Sequence, residues 1–132
     1  RIKSYTQIED WKDIFSPEHK LINLVYDLKH EELEKFKSLT GHDLHHFQGL
    51  DLYDDMENTA ALIASLDLVI SVASTNVELA GALGTKTLRL TSTPDWTMLG
   101  TKERPWFSSQ EILPKKYFDT WSQVMGQIKE HL

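Results

Sequence analysis

Apolar and polar positions alternate along the chain in two rhythms, one helical and one of short continuous apolar runs. Residues 4–15 place Ile8, Trp11, Ile14 and Phe15 at i, i+3, i+6 and i+7, which predicts an amphipathic helix ended by Ser16-Pro17. Residues 20–26 form an apolar run and predict the first strand. A charged helix over residues 29–39, with Leu33, Phe36 and Leu39 inward, closes near Gly41, and residues 44–47 predict a weak second strand. The acidic stretch 49–57 reads as a loop capping a helix over residues 58–66. Residues 67–72 (Asp-Leu-Val-Ile-Ser-Val) are the clearest strand. A helix of small residues, 74–83, follows and ends at Gly84, a natural left-handed C′ position. Residues 85–91 and 111–113 predict the fourth and fifth strands, with the long loop 92–109 between them. Residues 117–132 predict the last helix, with Trp121, Val124, Met125 and Ile128 inward.

Strands alternate with helices, and strands that are apolar throughout belong to parallel sheets covered on both faces. The expected fold is therefore α/β: a three-layer, Rossmann-like, doubly wound parallel sheet of about five strands. All 132 residues read as one such domain, without repeat, linker or low-complexity segment. Ligands of these sheets lie beyond the carboxyl ends of the strands, where strand order reverses. For an order 2-1-3-4-5 that crevice falls between the first and third strands, lined by residues 26–29 and 73–76.

Charge and composition narrow the function. With 14 Lys and Arg against 20 Asp and Glu, the net charge of -6 argues against a nucleic-acid groove and against an anionic membrane surface. It leaves room for a small phosphorylated ligand, because backbone N–H groups hold phosphate without net positive charge. The absence of cysteine removes disulfides, thiolate metal sites and Cys nucleophiles, and is compatible with a reducing cytoplasm. No apolar run is long enough to span a membrane. The chain begins at Arg1 without Met or a signal-peptide core, so a piece of a longer protein is expected.

The chemistry-bearing segment is 67–90. A buried strand stops at Val72, Ser74 and Thr75 follow at once, and a helix begins there. Free N–H groups and the positive end of the helix dipole suit a diphosphate at that point. The same hydroxyls serve equally well as a plain N-cap. Ala80, Gly81 and Ala82 let the helix lie close to the sheet.

Residues 66–72, the block Leu79-Ala80-Gly81-Ala82-Leu83-Gly84, and the later Pro94-Asp95-Trp96 and Arg104-Pro105-Trp106-Phe107-Ser108 resemble one family. It is the C-terminal, donor-binding domain of heptosyltransferase-like glycosyltransferases of the GT-B fold, often found behind tetratricopeptide repeats. The likeness covers residues 51–109 and extends back toward Leu21; the preceding helix, residues 58–64, shares it. It implies a nucleotide-sugar substrate, no resident cofactor and no catalytic metal. It also implies a separate N-terminal domain, or the repeats, to supply the acceptor contacts and the catalytic base. The ligand-binding residues it points to, together with the crevice, are Tyr26, Asp27, Ala73, Ser74, Thr75, Asn76, Glu78, Asp95 and Trp96. No residue of this chain is assigned a catalytic role.

The departures from the family pattern are specific. The family's aspartate after the third strand is Ala73 here, and its histidine five residues on is Glu78. Its Arg-Trp after Pro-Asp-Trp is Thr97-Met98, and the Gln and Gly following the first strand are Val25 and Asp27. What remains for a ligand is backbone N–H, Ser74, Thr75 and Asn76, with Lys102 and Arg104 as candidate cations. Two alternatives stand beside donor binding: a degenerate, non-catalytic binding module, and a nucleotide-sugar epimerase-like enzyme using Asp27 and Glu78 as acid and base. Asp54-Asp55 reads as a helix-capping loop rather than a metal pair, and His42, His45 and His46 read as surface-loop residues. Trp96 and Trp106 either stack a ligand ring or staple their loop, with stapling favoured. Trp11 and Trp121 read as core. No Gly-x-Ser-x-Gly elbow is present, and Gly81-x-x-Gly84 ends a helix, so it is not a phosphate-binding fingerprint.

Overall fold

The computed structural model describes residues 5–92 and 96–132. Among these described residues, five strands and four α-helices follow one another as β1 (Leu21–Ile22), α1 (His30–Thr40), β2 (Leu44–His45), α2 (Met56–Ala64), β3 (Val69–Val72), α3 (Thr75–Leu83), β4 (Thr87–Thr91), β5 (Gln110–Pro114) and α4 (Trp121–Ile128). All pairings are parallel: β1 with β2, β3 with β4, and β4 with β5. The predicted α/β class holds, and the arrangement is that of a small Rossmann-like fold.

The order is 2-1 in one sheet and 3-4-5 in the other, with no ladder joining β1 to β3 among the described residues. The reason lies at Asn23, which is 2% exposed. Its side chain takes both backbone groups of Val25, accepting from the N–H at 2.9 Å and donating to the carbonyl at 2.8 Å. An Asn that satisfies its neighbours' backbone in this way competes with the ladder and ends the strand. The join to β3 is made instead by a side chain: Asn76 Nδ2 donates to Leu24 O at 2.7 Å.

β4 is buried along its whole length, and its two faces differ. Leu88 and Leu90 join Leu113, Trp121, Val124, Met125 and Ile128 in the larger core, which Ile14 closes from the amino-terminal segment. The opposite face carries Thr87, Arg89 and Thr91 toward α3, as the two-residue period of a strand requires. There Ile63, Val69 and Ala80 form the smaller core between α2, α3 and the sheet. Helices therefore cover both faces.

The segment 4–15 is corrected by the structure. Only a 3-10 turn forms, Ile8–Trp11, and Asp13 stands at φ 62, which breaks any continuing helix; Ser4 lies outside the described residues. Ile14 is nonetheless buried, and Trp11 stacks on Phe15 at 5.9 Å between centroids. Two further elements are shorter than expected: β1 keeps only Leu21–Ile22 of residues 20–26, and α4 covers Trp121–Ile128 of residues 117–132, because residues 117 and 118 lie in a turn and Thr120 takes the N-cap. The other element ends lie within two residues of those predicted. Gly41 and Gly84 take φ 75 and 76 as left-handed caps of α1 and α3. Asp55 caps α2 by accepting from Asn58 N at 3.1 Å. No helix among the described residues is long and apolar enough to cross a membrane.

Candidate functional site

β3 runs straight into α3. Ser74 sits at the N-cap in extended geometry, yet its side chain makes no capping hydrogen bond. Its Oγ lies 3.2 Å from Ser71 Oγ instead. The plain N-cap role considered for Ser74 is thus not the one it takes. By contrast Asp55 caps α2, while Glu32 and Gln123 accept from the N-cap amides of α1 and α4 at 2.9 and 2.7 Å. Thr75 and Ala73 are exposed, and Ser74 and Asn76 half-buried, so the first turn of α3 faces solvent at the carboxyl end of β3.

Glu78, one turn further on, is held between two arginines. Its Oε1 accepts from Arg89 Nη1 on β4, and its Oε2 from Arg104 Nη2 at 2.5 Å. The arginine side chains are 5% and 3% exposed, whereas that of Glu78 is 43% exposed. A cation buried to this degree needs a carboxylate partner. The carboxylate charge is directed at guanidinium groups and not at the first-turn amides of α3. Arg104, considered as a ligand contact, reaches Glu78; Lys102 is exposed.

Three fastenings bind the segment 104–110 to α3. Besides Glu78 with Arg104, Gln110 Nε2 donates to Val77 O at 2.5 Å, and Phe107 lies directly on Gly81, where a Cβ would stand 2.6 Å from its ring. The small residue expected to bring the helix close to the sheet thus serves the loop as well. Arg104 also lies over the Phe107 ring, 5.6 Å from its centroid. Trp106 Nε1 donates to Thr97 O at 3.0 Å, which closes the loop on itself without fixing it to the sheet, and the residue is 58% exposed. Trp96 is 83% exposed.

At the β1 side, Tyr26 is 61% exposed and stands against Tyr53, centroids 5.1 Å apart; Asp27 is exposed beside it. The residues expected to bind a ligand therefore fall into two groups. Ser74, Thr75, Asn76 and Glu78 share the start of α3, and Asn76 ties that turn to Leu24, two residues before Tyr26. Trp96 belongs to the loop fastened onto α3, and Asp95 lies outside the described residues. The Arg89–Glu78–Arg104 arrangement was not anticipated as such; the available signal was an arginine in the middle of a strand with Leu on either side.

Among the described residues no group of three or more His, Asp or Glu is placed to hold a metal ion. His42 Nε2 lies 3.1 Å from Ser16 O, and His46 Nδ1 lies 3.0 Å from Asn23 Nδ2, which are structural contacts. Asp55 has its carboxyl held below the ordinary range by hydrogen bonds from the Asn58 side chain and then its backbone, in keeping with a capping role. A shallow concavity of about 280 Å³ lies at the other end of the sheet, lined by Gly84, Lys86, Thr87 and residues 108–111. None of the residues expected to bind a ligand lines it.

No known family and no solved structure matches the chain. Protein FlbA of Caulobacter vibrioides is similar to it, with 32% identity over 129 residues. That alignment takes in 97% of this chain and 22% of FlbA, so the chain spans about a fifth of that relative's length.

Proposed function

We propose that the chain is the nucleotide-sugar-binding domain of a cytoplasmic glycosyltransferase, one half of a GT-B, heptosyltransferase-like enzyme. The observation that carries this reading is the start of α3. It follows a parallel strand without a linker, it faces solvent, and its N-cap hydroxyl is bonded to Ser71 and not to the first-turn amides. Amides so placed suit the diphosphate of a donor. Ser74 and Thr75 hydroxyls add hydrogen bonds, and Tyr26 and Trp96 offer ring faces to the base or sugar.

In this reading the dipole end of α3 and its N–H groups stabilise the charge that develops on the leaving diphosphate, without a metal. The acceptor is activated by a base from another domain of the longer protein, where an N-terminal acceptor domain or tetratricopeptide repeats would sit. A thermal-shift screen of the longer protein against UDP, GDP, ADP and CMP and their sugar conjugates tests it. A ligand that binds only the folded state raises the melting temperature with concentration. A selective rise with one nucleotide class supports the reading, and a flat response across the panel contradicts it.

A second reading is a non-catalytic binding module of the same fold. Ala73 favours it, presenting a methyl group where the family holds a carboxylate. Nucleotide binding without donor turnover in the longer protein would select it. The epimerase-like alternative gains no support, since both Glu78 oxygens are engaged by guanidinium groups.

A further inference from the structure

We infer that Glu78 is a positioning residue, whose carboxylate holds the loop carrying Trp96 in place at the mouth of the site. The ligand part of this inference rests on the nucleotide-sugar reading above. The carboxylate joins three parts of the molecule: it belongs to α3, takes Arg89 from the central strand β4, and takes Arg104 from the loop. Both guanidinium groups are almost wholly buried, so the Glu78 carboxylate offsets the cost of holding their charge away from water.

From Arg104 the connection runs to Trp96 through a braced chain of contacts. Phe107 N donates to Arg104 O at 3.1 Å, and Trp106 Nε1 donates to Thr97 O at 3.0 Å. Leu99 N returns to Trp96 O at 3.1 Å, and Met98, buried in the same turn, anchors it. Trp96 is 83% exposed, and its carbonyl is held by Leu99 N. An indole face presented in that way stacks a planar base or covers the apolar face of a sugar ring. Removing the charge at position 78 takes away the carboxylate that ties Arg104 to α3, loosens the loop and widens the excursions of the indole.

The full-length protein carrying Glu78→Gln gives the first test, by hydrogen exchange. The amides of Leu99, Thr101 and Phe107 should exchange at least about tenfold faster, while those of Leu88 and Leu90 in β4 keep their protection. Unchanged loop exchange, or an equal rise in loop and strand, overturns the inference whether or not any ligand binds. The second test is a double-mutant cycle with UDP-, GDP- and ADP-glucose as probes. Glu78→Gln should weaken binding by about tenfold in the presence of Trp96 and have little effect in a Trp96→Ala background. Losses that multiply would show that Glu78 acts independently of Trp96 and overturn the positioning role. If none of the probes binds the unaltered protein, the nucleotide-sugar reading fails, and the exchange result still decides the fastening.

Discussion

Gly81 and Phe107 are in direct apposition: a Cβ on Gly81 would lie 2.6 Å from Phe107 Cγ and Cδ2 and 2.5 Å from Gln110 Nε2. In an open helix interior, Gly→Ala stabilises by about 1 kcal/mol. Here the methyl meets a ring that packs under Arg104 and an amide bonded to Val77 O. Gly81→Ala is expected to destabilise the domain by about 1–3 kcal/mol, the usual range for overpacking. Urea denaturation measures it, and a stabilised variant would show that the loop gives way freely.

The larger core predicts a second outcome. Leu88 is fully buried in the central strand among Leu113, Val124 and Ile128. Leu88→Ala removes apolar contact and leaves a cavity, with an expected loss of about 2–5 kcal/mol. A loss below about 1 kcal/mol at the denaturation midpoint would place Leu88 outside the core.

The two loop tryptophans should separate. Trp96→Ala, at an 83% exposed position, should change stability by less than about 0.5 kcal/mol. Trp106→Phe removes the hydrogen bond to Thr97 O and should cost about 0.5–1.5 kcal/mol. Paired thermal melts check the order, and equal effects would contradict the division between a presented and a loop-closing indole.

Asp55 gives a pH prediction. Its folded carboxyl is lowered, first by the Asn58 side chain and then by the Asn58 backbone N–H. A lowered folded value means that its contribution is present above the unfolded value of about 3.9 and is lost as pH falls through the folded value. The stability gap between the natural chain and Asp55→Asn should therefore shrink as pH falls from 6 to 2. A gap that stays constant or widens in acid would contradict the cap.

Much of this fold was legible because its signals are local. Gly41 and Gly84 end helices where only glycine takes the left-handed conformation without strain. The inward positions of α4 were visible as Trp121, Val124, Met125 and Ile128. The amino-terminal segment misled because apolar spacing reports burial, and Trp11, Ile14 and Phe15 reach the core region from irregular backbone as readily as from a helix. The short β1 was hidden in the side-chain behaviour of Asn23. The Glu78 arrangement was illegible for a different reason: its partners lie 11 and 26 residues away, beyond any periodicity. Of the site, the α3 start could be placed from Val72-Ala73-Ser74-Thr75, while the pairing of Tyr26 with Tyr53 depends on how two distant loops meet.

The measurement that tests the central claim most directly is an amide NMR titration of the chain with the nucleoside diphosphate that performs best in the thermal-shift screen. The account predicts saturable, concentration-dependent shifts centred on the amides of Thr75, Asn76 and Val77, with the indole N–H of Trp96 moving in parallel. Shifts confined to the concavity around Lys86 and Ser109, or none at millimolar ligand, would contradict it.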